Sequence, residues 1–194
     1  MVTHSVQVWL RTLIAAFLII VTAGCNSARD QSESITPVTI EPSWVDPEIA
    51  ADGTVTISLS DVQKLRNVHF TLYGTHDGEL QFMAYILDGR LYVRANACPP
   101  CRTGFNLIGD SLDCRSCTSY FDAKTGRGIL WGGVFGGCVI FPKTPIPHII
   151  KDGRIVMKYG ELMAANRENL KSRTREEAMD WNPPPTLVPL PYLP

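Results

Sequence analysis

The sequence predicts a mostly β fold: a small antiparallel β domain with a four-cysteine metal site at one end and a C-terminal helix. Three observations predict it. Hydrophobicity alternates with period two in short runs between residues 54 and 159. Asp-Gly pairs at Asp88-Gly89 and Asp152-Gly153 mark tight turns between such runs. Two C-x-x-C pairs, Cys98-Pro99-Pro100-Cys101 and Cys114-Arg115-Ser116-Cys117, are separated by twelve residues. That spacing lets two knuckles bring four thiolates to the corners of a tetrahedron, suited to zinc, a single iron or an iron–sulfur cluster. A pair of local disulfides is the competing reading of the same cysteines.

Along the chain, residues 1–24 read as a targeting segment. His4 and Arg11 precede the apolar run TLIAAFLIIVTAG of residues 12–24, which is too short to span a bilayer comfortably. Thr22-Ala23-Gly24-Cys25 resembles the bacterial lipobox, with Thr22 where an aliphatic residue is usual. The expectation is a signal peptide over 1–24, acylation of Cys25 and a membrane anchor facing outside the cytoplasm. Residues 25–53, rich in Ser, Thr, Asp and Glu and punctuated by Pro37, Pro42 and Pro47, read as the lipidated cysteine and a flexible tether.

The domain proper is expected over 54–163, long enough for one modest core. Strands are predicted at 54–59, 68–73, 80–87, 90–95 and 154–159, and Ser60-Asp61 is expected to cap a helical turn running to Leu65. Residues 161–181 read as one helix with a thin apolar stripe through Leu162, Ala165 and Leu170 and an otherwise solvated face. The 164–194 region is this helix plus a Pro-rich tail, whose last thirteen residues hold six prolines and favour extended chain.

Net charge is −1 with no basic block, which argues against a nucleic-acid partner. No serine or cysteine triad and no carboxylate pair stands out, so the chain is expected to be a non-enzyme. His69, on a strand opposite its apolar face, reads as a surface or hydrogen-bonded histidine, and His76 is likewise remote from the cysteines. His148, after Pro147, is a reserve ligand. Met83, Met157 and Met163 read as core, and Trp131 as a lid or core aromatic. Cys138 is the leftover thiol, set in Gly136-Gly137-Cys138. It reads either as an accessory ligand or redox-active thiol, or as a small buried hydrophobe.

Two resemblances follow from these motifs. The stretch from Val93 through Ala97-Cys98-Pro99-Pro100-Cys101 and Cys114-Arg115-Ser116-Cys117 to Gly136-Gly137-Cys138, followed by Phe141-Pro142-Lys143-Thr144-Pro145-Ile146-Pro147, resembles the FtrD-like membrane iron–sulfur-containing proteins across about 54–163. Val139-Ile140 stands where that family has Asn-Pro. The order of features, with Phe121-Asp122-Ala123-Lys124-Thr125-Gly126 after the second pair, is similar to a Rieske domain, Cys101 and Cys117 standing where its histidines would be. The resemblances imply an iron or 2Fe–2S centre on Cys98, Cys101, Cys114 and Cys117. Its role would be electron transfer or iron or copper handling beside a membrane redox or metal-transport partner. Four thiolates would set a 2Fe–2S potential toward the plant-type range. A structural zinc domain that binds a partner, and a thiol–disulfide protein using Cys98 and Cys101, remain open beside it. The lone Arg11 is not a twin-arginine signal, so the metal would be gained after export, more simply as zinc or a single iron than as a finished cluster.

Overall fold

The structure, a computed structural model, describes residues 37–74, 78–99, 101–117, 119–129 and 137–182. Cys25, His76, Trp131, Gly136, the signal segment and the Pro-rich tail lie outside them. Among the described residues strand makes up 43% and helix 17%, and the strands form three sheets.

The central sheet is β5 (Asn67–Gly74), β6 (Gly78–Leu87) and β7 (Arg90–Ala95), an antiparallel meander. The β6–β7 hairpin turns on Asp88 and Gly89, both in the left-handed region at φ 50° and 70°, as a tight two-residue hairpin requires. A second sheet sets β4 (Thr54–Ser58) against β13 (Arg154–Lys158), and β13 against β12 (Ile149–Lys151). Between β4 and β5 runs α1 (Leu59–Leu65), capped by Ser58, whose hydroxyl accepts from the Asp61 N–H. The cap therefore lies two residues upstream of Ser60. The third sheet is the hairpin stack β8 (Phe105–Ile108), β9 (Ser111–Cys114), β10 (Tyr120–Asp122) and β11 (Gly128–Ile129).

Two expectations are corrected here. Residues 37–53 are not all tether, because three short strands in them complete the sheets. β1 (Thr39–Ile40) pairs with β8, β2 (Ser43–Val45) runs parallel to β5, and β3 (Glu48–Ile49) pairs with β4. Sheet edges offer unpaired backbone groups, and even a polar, proline-broken segment can satisfy them. The single helix expected over 161–181 is two, α2 (Tyr159–Asn169) and α3 (Arg175–Met179). Thr174 and Glu177 form a capping box that starts the second, and such a box is a helix-start signal.

The central sheet is buried on both faces. Phe70, Leu72, Phe82, Ala84 and Ile86 pack with Val55, Ile57, Val62, Ile155 and Leu162 in one core. Met83, Tyr85 and Leu87, on the other face of β6, pack with Phe105, Leu107, Leu112 and Phe121 of the third sheet in a second core. His69 pairs with Met83 across the β5–β6 ladder and shares its face. It does lie opposite the first apolar face, but it is fully buried rather than at the surface, because Trp44, Asn96 and Gly104 close around it. Met83, Met157 and Met163 are all buried.

Candidate metal centre

Each cysteine pair sits on a backbone turn fixed by hydrogen bonds. After β7 the chain bends back at Cys98, whose carbonyl accepts from the N–H groups of Cys101 (2.9 Å) and Arg102 (3.0 Å). Arg102 takes the left-handed conformation that this bend requires, at φ 48°. Cys114 ends β9. Its N–H donates to the Ser119 carbonyl (3.1 Å), closing the β9–β10 turn around Cys117. Gly104 links the two loops at close quarters: a Cβ there would lie 2.8 Å from Pro42 Cγ and 3.2 Å from His69 Nδ1, so a side chain would push the first loop off its support.

The sulfurs of Cys98, Cys101, Cys114 and Cys117 all lie within 4.8 Å of one another, Cys98 and Cys114 buried and the other two half-buried. Bond lengths of about 2.3 Å place the four sulfurs of a tetrahedral ion about 3.8 Å apart. The quartet fits a single ion with little adjustment, while a two-iron cluster would need its sulfur pairs set farther apart. Cys138 belongs to the same cluster. It is disulfide-bonded to Cys98, and its Sγ is 3.6 Å from that of Cys101. A sulfur in a disulfide is not a thiolate, so Cys98 can serve the quartet only when that bond is open. The packing-only reading of Cys138 does not describe this position, although the residue is buried.

The surroundings treat the thiols of the quartet unequally. Ser119 Oγ accepts from the Cys138 N–H (3.0 Å) and from the Cys117 thiol (3.2 Å). Burial pushes Cys117 up, but hydrogen bonds that Ser119, Cys114 and Cys101 can give to its thiolate form outweigh it, and its thiol ends below the usual range. Cys101, pushed up by burial and by its hydrogen bonds and like charge with Cys117 and Cys114, rises to about 12. Lys143 is fully buried, with Nζ donating to the Ala97 carbonyl (2.7 Å) and resting 4.3 Å and 4.8 Å from the centroids of Phe121 and Phe105. Burial draws it down to about 7 against the opposing pull of Cys114, Cys117 and Cys101. A buried ammonium is costly without a negative partner, and an anionic tetrathiolate centre is such a partner.

Two further residues hold the frame. Arg94, buried on β7, donates from Nε to the Tyr85 hydroxyl (2.8 Å) and from its terminal nitrogens to the carbonyls of Lys124, Thr125 and Lys143. It ties the central sheet to the Phe121–Gly126 turn and to the segment that carries Lys143. Asn169, at the end of α2, accepts from the Ala97 N–H (3.0 Å) and donates to the carbonyls of Phe141 and Pro142. Nothing in the spacing of the cysteines signals Lys143, Arg94, Ser119 or Asn169. A lysine inside a Pro-rich apolar stretch was the one visible oddity.

His148 does not join the four-cysteine group. It is buried, with Nδ1 against the Ile146 carbonyl at 2.9 Å. His69 is also apart, its Nδ1 2.8 Å from Asn96 Nδ2 and its ring edge-on to Trp44.

No family model and no curated protein matches the chain. Among solved structures it is similar to a chain of the complex of reduced oxygenase and oxidized ferredoxin in carbazole 1,9a-dioxygenase, with 14% identity and a TM-score of 0.41, covering 56% of this chain and 94% of that one. It is also similar to Sphingomonas yanoikuyae B1 ferredoxin, with 19% identity and a TM-score of 0.33, covering 45% and 83%.

Proposed function

We propose that this chain is a tetrathiolate metal protein, anchored by lipid on Cys25 outside the cytoplasm, whose centre is an iron used in electron transfer or in metal handling. The observation that carries the reading is the approach of the Cys98, Cys101, Cys114 and Cys117 sulfurs within 4.8 Å of one another, from two loops held by backbone bonds. The FtrD-like sequence likeness supports iron over other metals, and the compact quartet favours a single ion over a two-iron cluster. Iron on four thiolates supplies a one-electron couple when bound. The protein's own part is to bury Cys98 and Cys114 and half-bury Cys101 and Cys117, to set the Lys143 ammonium where it offsets their negative charge, and to orient Cys117 through Ser119. A membrane redox or metal-transport protein would be the partner.

The full chain in detergent, reduced and given Fe²⁺ or Zn²⁺ in turn, tests this. One iron per chain, a thiolate-to-iron absorption band and loss of both in Cys114→Ser are expected. Two irons with acid-labile sulfide would replace the single ion by a cluster. Retention of zinc alone, with no reversible redox signal, would make the site structural.

Anchoring is tested separately. The motive is the apolar run ending in Thr22-Ala23-Gly24-Cys25. Cys25→Ser is expected to release the domain from membranes or to leave the uncleaved precursor. A mutant that stays membrane-bound with unchanged mobility overturns lipidation.

A further inference from the structure

We propose that Cys98 is shared between two mutually exclusive bonds, one to the metal and one to Cys138, so that a small-molecule disulfide of the glutathione type converts the loaded centre into a Cys98–Cys138 disulfide and expels the ion. The inference rests on the tetrathiolate reading above and adds its regulation.

Four observations carry it. Cys98 Sγ is bonded to Cys138 and also lies 4.0 Å from Cys114 Sγ, so one rotamer serves both the disulfide and the quartet. Cys138 Sγ lies 3.6 Å from Cys101 Sγ, inside the cluster rather than behind it. The Cys138 N–H is fixed to Ser119 Oγ, which also accepts from Cys117, so the resolving sulfur is built into the metal hairpin and needs no loop movement to reach Cys98. Finally, Cys98 lines a surface groove of about 300 Å³ with Pro99, Glu79, Arg102 and Arg167. Cys98 is itself buried, so the groove brings a solute beside this residue rather than onto an open sulfur, and its two arginines against the one Glu79 leave it net positive, which favours a carboxylate-bearing peptide disulfide.

The chemistry proceeds in two exchanges. The Cys98 thiolate, when not held by the ion it would share with the other three cysteines, attacks one sulfur of oxidised glutathione, forming a Cys98–glutathione bond and releasing one glutathione thiolate. Cys138 then loses its proton and attacks the Cys98 sulfur, forming the intramolecular disulfide and releasing the second glutathione thiolate. Overall one thiolate, one thiol and one small disulfide become one protein disulfide, two glutathione thiolates and one proton. The two electrons lost by the protein sulfurs reduce the glutathione disulfide, and the metal keeps its oxidation state. Three thiolates, Cys101, Cys114 and Cys117, remain, one short of the tetrahedral set that holds a structural ion.

The test uses the reduced full chain in detergent loaded with Zn²⁺, which takes no part in redox chemistry, and titrated with oxidised glutathione. Released zinc is read with a colorimetric chelator, and the disulfide by alkylation and peptide mass mapping. One zinc released per Cys98–Cys138 disulfide formed is expected. Cys138→Ser should instead accumulate a single glutathione adduct on Cys98, and dithiothreitol should restore zinc binding in both proteins. The wild-type mapping stands without the variant, should Cys138→Ser fail to fold. Formation of the Cys98–Cys138 disulfide with zinc retained overturns the exclusion, as does zinc loss with the first disulfide at any other pair. A reduced chain that takes up neither zinc nor iron overturns the tetrathiolate reading and the competition together. It is told apart from the other failures because the Cys98–Cys138 bond still closes in it.

Discussion

His69 shows how a residue with no part in metal binding can set the pH range of the protein. Burial, with a smaller contribution from the Arg115 charge, pulls its imidazole down to about 3. The unfolded chain takes up that proton at about 6.5. Between these values the unfolded state binds the extra proton, so the His69 contribution is complete above pH 6.5 and is lost as pH falls toward 3. Wild-type stability is therefore expected to drop by up to ~1.4 kcal/mol per pH unit in that window from this group. Denaturant melts of wild type and His69→Gln at pH 7.5 and pH 4.5 check it, the variant showing the shallower dependence. Equal slopes would assign the acid sensitivity elsewhere. At this scale the sequence displayed the four ligands plainly, because thiols in spaced pairs are rare and chemically specific. It did not display the burial of His69, since alternation assigns a residue to a face and cannot say what covers that face. The mate of Cys138 was hidden for a related reason: Cys98 and Cys138 are 40 residues apart, and only the tertiary fold joins them.

Among the elements, the Phe121–Gly126 turn is where local sequence and long-range packing agree most closely. The Asp122 carboxylate accepts from the Thr125 N–H and hydroxyl, and the Gly126 N–H returns to the Asp122 carbonyl at 2.7 Å. Gly126 stands at φ 81°, and a Cβ there would meet the Lys143 carbonyl at 2.3 Å and Arg94 Nη1 at 2.8 Å. Gly126→Ala is thus expected to lower stability by ~2–4 kcal/mol through strain and loss of the Arg94 bonds. It should also weaken metal uptake, since Lys143 is displaced with its backbone. Urea melts together with zinc titration measure both, and a variant within ~0.5 kcal/mol of wild type would refute the close approach. Strands and Asp-Gly hairpins were legible from period and turn chemistry. The helix break at Leu170–Thr174 was missed although Thr174 and Glu177 stand at capping-box spacing, because the charge pattern runs on across it.

For the molecule as a whole, the revised boundary of the folded domain makes a direct prediction. The described fold begins at residue 37, and β1, β2 and β3 each close an edge of a different sheet. Trp44 covers His69, and Pro42 packs on Gly104 beside the first metal loop. A chain starting at Pro37 should match the longer protein in stability, whereas one starting at Thr54 should lose ~2–4 kcal/mol. It should also expose its metal loops to solvent. Thermal melts of the two truncations decide, and equal midpoints would return residues 37–53 to the tether. The Ala97 peptide offers a last consequence. Its N–H is taken by Asn169 and its carbonyl by Lys143, so the residue entering the first knuckle is gripped from a helix and from the Pro-rich segment together. Ordering one residue costs about 1–2 kcal/mol of chain entropy. Here folding meets that cost, and an arriving ion finds a preorganised cup. Asn169, seventy-one residues downstream of Cys98, then acts as a remote affinity control that touches no sulfur.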